Sequence, residues 1–163
     1  MRDEAEFVEW ASTTQQRLYA TAYLLCGDAH RAEDLVQEGL SKVALKWRSL
    51  QHGNPGAYAR RVIVNANISW WRKHRRERLT DPPGQSAPAA DVETAMVVQR
   101  ALQRLTERQR AVLVLRHFDD LSVEETARVL GVSAGTVKSQ THAALERLRT
   151  GAPELLDLMG GTR

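Results

Sequence analysis

One cysteine, two phenylalanines and five prolines in 163 residues set the first limits on this chain. With Cys26 alone, no internal disulfide can form and no cysteine pair exists to hold zinc. Cys26 and His30 are four apart, but Gly27-Asp28 interrupts the helix that would bring them together, so no metal site is expected. No apolar run approaches the length of a membrane-spanning helix. The N-terminal MRDEAEFVEW is acidic and lacks the apolar stretch of a signal peptide. These absences lead to the expectation of a cytoplasmic chain without membrane insertion. Strand signals are nearly missing, since Val62-Ile-Val64 is short and lies inside a helical period. There is no phosphate-cradling glycine-rich loop and no G-x-S-x-G. An enzyme is therefore the least supported class, and no catalytic residue, cofactor or metal is expected.

What is present is unevenly distributed charge. The net charge is only +3, with a pI near 9.3. Residues 1–47 carry five Lys/Arg against eight Asp/Glu, a net −3. Residues 58–78 carry seven Lys/Arg against one Glu, a net +6. An acidic face and a basic stripe on one chain suggest two different partners.

The stretch Thr80-Asp-Pro-Pro-Gly-Gln-Ser-Ala-Pro-Ala-Ala90 holds three of the five prolines and has no apolar period. It reads as a linker between domains at 1–79 and 91–163. Its eleven residues span at most about 40 Å when extended. Both flanking parts read as helical, so the predicted fold class is all-α: two small helical domains, the second containing a helix-turn-helix. The first helix is expected over about 3–25, with Phe7, Trp10, Ala11, Leu18, Ala22 and Leu25 inward. Gly27-Asp28 should end it and cap a second helix over about 29–48, with Ala32, Leu35, Val36, Leu40, Val43 and Trp47 inward. A loop over 49–56 and a third helix from about Ala57 follow. In the second domain, 92–105 reads as one helix and the Thr106-Glu-Arg-Gln109 capping box opens another through about Phe118. Pro153 and Gly160-Gly161 mark a fraying tail.

Residues 121–149, LSVEETARVLGVSAGTVKSQTHAALERLR, are the most specific signal. Ser122-Val-Glu-Glu125 is a capping box. Gly131 stands just past the last periodic residue, where a left-handed residue is needed, and Ser133 suits the next N-cap. Val132 would fill the gap between the two helices. Val137, Ala144, Leu145 and Leu148 supply the second helix's buried stripe, leaving Ala134, Thr136, Lys138, Ser139, Gln140 and His142 outward or at the edge. Such a helix fits the major groove of DNA. Ser139, Gln140 and His142 can hydrogen-bond base edges, while Lys138, Arg147 and Arg149 suit phosphates.

Two constellations precede it. Ala32-Glu-Asp-Leu-Val-Gln-Glu38 puts Asp34 and Glu38 at i, i+4 with Gln37 beside them, a docking face for a basic helix. Further on, Arg60, Arg61, Arg72, Lys73, Arg75, Arg76 and Arg78 surround Tyr58, Trp70 and Trp71. Cations interleaved with aromatics suit single-stranded or melting DNA. Trp70 and Trp71 are adjacent and cannot share a helix face, which predicts that one is core. Asn65 and Asn67 can position a nucleic acid or satisfy backbone groups.

In this order, AEDLVQEGL, YARRVIVNANISWWRKHRR, a proline-rich linker and LTERQRAVLVLRHFDDLSVEETARVLGVSAGTVKSQTHAALERLR, the chain resembles sigma-70 family sigma factors. It is most similar to the extracytoplasmic-function group, which keeps only regions 2 and 4, and within it to the actinobacterial sigma-E-like branch. The resemblance implies a factor that binds RNA polymerase core and directs promoter recognition, melting and transcription initiation. Its implied partners are the core, through the β′ clamp helices and β flap, and promoter DNA; an anti-sigma factor is left open. The resemblance puts Asp34, Gln37 and Glu38 on the clamp helices, with Leu35 packing behind. It puts Gln51, His52 and Asn54 where the family captures a flipped base, and Arg60, Arg61 and Asn65 along the melted −10 strand. Lys138, Ser139 and His142 fall on the −35 element, with Gln140 and Arg147 beside them. Trp70-Trp71 comes too late in the chain for the tryptophan wedge of primary sigma factors, whose slot lies near Arg61-Val62. Ala143 replaces a position that is often basic in the family. A free-standing helix-turn-helix regulator would use residues 121–149 but leave the acidic and basic constellations idle. A module that sequesters another regulator would bind no DNA.

Overall fold

A computed structural model describes residues 1–74 and 92–159. They divide into two compact units, residues 1–74 belonging to the first and 92–159 to the second. All regular structure among the described residues is helical, so the fold is all-α, as expected. The expected linker 80–90, Arg75, Arg76 and Arg78 of the basic stripe, and Gly160-Gly161 lie outside the described residues.

In the first unit, α1 spans Arg2–Cys26, α2 Ala29–Leu45, α3 Trp47–Leu50 and α4 Pro55–His74. Gly27 takes φ 72° and donates its N–H to the Tyr23 carbonyl, ending α1. Asp28 then accepts from the Arg31 N–H at 2.9 Å and starts α2. Leu18, Ala22 and Leu25 of α1 meet Ala32, Val36 and Val43 of α2 and Ala59, Ile63 and Val64 of α4 in the core, all buried. Helices α2 and α4 approach closely at Gly39: a Cβ there would meet Ile63 Cγ1 at 3.2 Å and the Ala59 carbonyl at 3.4 Å.

Two boundaries differ from expectation. Helix α2 ends at Leu45 rather than Arg48, because Lys46 leaves helical geometry at φ −113°, ψ 16°. The break turns Trp47 inward against Phe7 and Trp10 of α1, with ring centroids 5.5 and 5.6 Å away. Burying Trp47 against two half-buried rings outweighs continuing the helix by one turn. The loop expected over 49–56 is also shorter. Ser49 and Leu50 belong to α3, and Pro55 and Gly56 form the first turn of α4. Asn54 Oδ1 accepts from the Ala57 N–H at 2.9 Å, and the fixed φ of Pro55 suits a first helical position.

The second unit contains α5 Val92–Gln103, α6 Glu107–Leu113, a π-helical segment Val114–Phe118, α7 Val123–Leu130, α8 Ala134–Gly151 and α9 Pro153–Leu158. Both expected capping boxes are formed, Thr106 with Gln109 and Ser122 with Glu125. The buried Arg110 guanidinium donates to the Leu102 carbonyl at 2.8 Å and the Leu105 carbonyl at 3.2 Å, satisfying groups at the end of α5. The π-helical segment is not visible in the sequence period. After it, Asp119 is buried and Asp120 takes φ 54°. Arg116 Nη1 reaches the Leu121 carbonyl at 2.7 Å, tying this bend to the start of the helix-turn-helix. Burial pushes the His117 imidazole below its ordinary pKa; Arg116 adds to this and Asp120 opposes it.

Helices α7 and α8 form the expected helix-turn-helix. Gly131 takes φ 66° between them and Ser133 Oγ accepts from the Thr136 N–H at 3.1 Å. Val112, Ala127 and Val137 are its core, with Val123, Leu130 and Val132 packed against them. The tail expectation is corrected at Pro153. This proline opens α9 rather than beginning a frayed end, because a missing N–H costs nothing in a first helical turn. Ala152, Leu155 and Leu156 are buried, and Arg104 Nη1 donates to the Gly151 carbonyl.

Nothing lies within 4 Å of a Cβ built on Gly131, so its replacement tests backbone conformation alone. Gly131→Ala should cost about 1–2 kcal/mol from the left-handed geometry, read as an earlier denaturant transition in circular dichroism with the tryptophan emission, which comes from residues 1–74, unchanged.

Candidate nucleic-acid and partner interfaces

The acidic face of α2 is presented to solvent. Asp34, Gln37 and Glu38 are exposed, while Leu35 is buried beneath them. Glu38 pairs with Lys42 one turn on, Oε1 to Nζ 3.3 Å. Both side chains are about half exposed, at 45% and 52%, so this pair is weak and readily exchanged.

Beside this face, α2 and α4 enclose an open groove of about 740 Å³. Glu38, Lys42 and Lys46 line one wall; Tyr58, Arg61, Asn65, Ser69, Trp70, Lys73 and His74 line the other. Arg61, Asn65, Ser69 and Lys73 stand four residues apart and form one stripe along α4. Lys46 Nζ lies over the Tyr58 ring at 5.3 Å. The structure thus brings Glu38, Arg61 and Asn65 to one groove. Arg60, Gln51, His52 and Asn54 are not among its described lining residues. Gln51, half-buried, and the exposed His52 and Asn54 lie on the connection between α3 and α4, where Asn54 is already engaged as a helix cap.

The two asparagines separate cleanly. Asn65 is exposed in the groove, whereas Asn67 is buried, accepting from Arg31 Nη2 at 3.2 Å and donating to the Leu25 carbonyl at 3.5 Å. The sequence reading missed Arg31, which also lies over the Trp70 ring at 3.3 Å from its centroid. His74 stacks on the same indole at 4.3 Å and 17°. The π surface of Trp70 is therefore engaged within the protein. Neither Trp70 nor Trp71 is fully buried, against the expectation that one would be core. Elsewhere in this unit, Tyr19 and Tyr23 stack at 6.3 Å. Burial raises the pKa of both phenols, Glu33 adding at Tyr19 and the neighbouring Tyr19 adding at Tyr23, so both stay protonated at neutral pH.

On α8, Lys138, Ser139 and His142 are exposed and Gln140 is half-buried. Ser139 Oγ donates to the Thr136 carbonyl at 3.0 Å. Arg147 Nη1 reaches Gln109 Oε1 at 3.4 Å, so this cation braces the α6 cap while its side chain remains exposed. Arg149 pairs with Glu146. No group of three potential metal ligands occurs among the described residues. No helix among them is long and apolar enough to cross a membrane.

Known proteins carry the same two blocks. Residues 10–77 match sigma-70 region 2 and residues 95–148 match sigma-70, region 4. The RNA polymerase sigma-E factor of Streptomyces coelicolor is 38% identical over 155 residues, covering 91% of this chain and 87% of that protein. The ECF RNA polymerase sigma factor SigE of Mycolicibacterium smegmatis is 33% identical, covering 90% of this chain and 63% of its own length. Among solved structures, the sigma factor RpoE in complex with the anti-sigma factor NepR, from Bartonella quintana, superposes with a TM-score of 0.73 at 28% identity. That match covers 88% of this chain and 94% of the other. A helix-turn-helix unit joined in one chain to a region 2 unit defines a promoter-recognising initiation factor. This chain belongs to the sigma-70 family, to its extracytoplasmic-function sigma factors of the actinobacterial sigma-E-like type, which direct transcription initiation with RNA polymerase.

The contrast between the two asparagines is testable. Asn67→Ala should cost about 1–3 kcal/mol by leaving buried partners unsatisfied. Asn65→Ala should stay within about 0.5 kcal/mol of the parent in the same denaturant titration, while weakening binding of single-stranded promoter DNA.

Proposed function

We propose that the two halves divide promoter recognition between them, residues 1–79 acting as region 2, 91–163 as region 4, and 80–90 as the tether. The observation that carries this reading is the groove in which Arg61 and Asn65 face the helix that bears the acidic residues. Asp34, Gln37 and Glu38 dock on a basic helix of the polymerase core, the β′ clamp helices, with Leu35 holding their helix in place. Arg60, Arg61 and Asn65 hold the melted −10 strand, and Gln51, His52 and Asn54 capture an unstacked base. Unpairing costs a few kcal/mol, which such capture offsets. Lys138, Ser139, Gln140 and His142 face the −35 element, with Arg147 at the edge, and the second unit meets the β flap.

Each single contact is weak, and the tether raises the effective concentration of one unit once the other has bound. The chain works inside the cell on the nucleoid, through polymerase, without chemistry, metal or cofactor of its own. The Bartonella quintana relative is held by an anti-sigma factor, which supports an anti-sigma factor as a regulator here too.

The test is co-migration of the purified chain with polymerase core stripped of sigma. Stoichiometric holoenzyme is expected, and Asp34→Lys should lower core affinity by tenfold or more, about 1.4 kcal/mol, while the second unit remains folded. No association with core, together with tight binding to duplex DNA alone, would instead identify a free-standing regulator. Lys138→Ala with His142→Ala should weaken footprinting of the upstream element without reducing core binding; unchanged protection would remove both from the interface.

A further inference from the structure

Glu38 belongs to two surfaces at once. It continues the exposed acidic stripe that begins at Asp34, and it is the one carboxylate among the described residues lining the α2–α4 groove. The rest of that lining is cationic or neutral, with Lys42, Lys46, Arg61 and Lys73 around Asn65. In this conformation the Glu38 carboxylate takes Lys42 as its partner at 3.3 Å. A strand entering the groove therefore meets one carboxylate that repels its phosphates and one lysine already occupied.

We propose that Glu38 and Lys42 form an exchangeable ion pair that couples polymerase docking to strand capture. A basic side chain of the polymerase takes over Glu38, cancels its repulsion and releases Lys42 to a phosphate in the groove. The order Glu then Lys at i, i+4 is the favourable one on a helix, so the free chain favours the paired arrangement. Its solvent exposure keeps it weak, so exchange for a better-placed cation is easy. Lys42 then becomes a strand-positioning residue only when polymerase is bound. This inference rests on the docking and strand assignments proposed above.

The experiment measures fluorescence anisotropy of a short labelled single-stranded DNA with the full chain, without polymerase, across a salt series. Glu38→Gln, which keeps shape and removes charge, should bind about fivefold tighter at low salt, the gain shrinking as salt rises. Its plot of log affinity against log salt should steepen by about 0.7, the signature of one added phosphate contact on a single strand. Lys42→Gln alone should leave the salt slope at the parental value, because Lys42 is occupied and holds no phosphate, while affinity falls modestly as the Glu38 carboxylate loses its counter-charge. The double variant, Glu38→Gln with Lys42→Gln, should keep part of the affinity gain and return to the parental salt slope.

An unchanged affinity for Glu38→Gln, an unchanged slope, or an equal slope change in the double variant would each overturn the exchange. Absence of strand binding by every variant at low salt would overturn it as well. Parallel co-migration of the unaltered chain with core separates the two levels. Normal holoenzyme with no effect of Glu38→Gln rejects the exchange alone. Failure to join core rejects the docking assignment beneath it.

Discussion

Gly39 sits where α2 crosses α4, and a methyl group there would press on Ile63 at 3.2 Å and on the Ala59 carbonyl at 3.4 Å. The first unit depends on this close approach. With the two backbones this near, the residue just before the contact on α2 and the one three positions after it border the open stripe of α4. That is how Glu38 and Lys42 come to share a groove with Arg61 and Asn65. A larger residue at 39 would wedge the helices apart and widen the groove at its floor. The spacing of the acidic face and the groove is thus set by an absent side chain rather than by any charged one.

The second unit is organised by its helix ends. Thr106, Ser122 and Ser133 each satisfy an orphan amide, and Gly131 turns the chain in the left-handed region. Arg110 does the reverse job for carbonyls, reaching Leu102 and Leu105 from a buried position. These short-range bonds fix the angle at which α8 leaves α7, and Val112, Ala127 and Val137 lock it by burial. The outward face of α8 then follows from its inward one: with Val137, Ala144 and Leu148 buried, Lys138, Ser139 and His142 have only solvent to face.

The caps and the helix-turn-helix were legible in the sequence because each is decided within three or four residues. So was the acidic stripe, a matter of helical spacing. What escaped was decided at longer range. Trp47 breaks α2 because Phe7 and Trp10 wait on another helix. Asn67 looked equivalent to Asn65 until Arg31 and Leu25 were placed against it. In the sequence the basic stripe offers cations and π faces, but Trp70 is already in contact with Arg31 and His74. The family resemblance carried roles onto Arg61 and Asn65, yet it gave no hint that Glu38 shares their groove. Pro153 suggests a fraying tail because proline ends helices more visibly than it begins them, yet it opens α9.

The aromatic clusters have a spectroscopic consequence. All four tryptophans, Trp10, Trp47, Trp70 and Trp71, and all three tyrosines, Tyr19, Tyr23 and Tyr58, lie in residues 1–74. Of the rings in residues 92–159 only Phe118 and the histidines remain. Intrinsic emission excited in the near ultraviolet is therefore a private signal of the first unit, silent to its helical neighbour. Far-ultraviolet ellipticity, by contrast, sums both. A single unlabelled chain thus carries two optical channels, and the difference between them isolates the helix-turn-helix unit without a dye or a truncation.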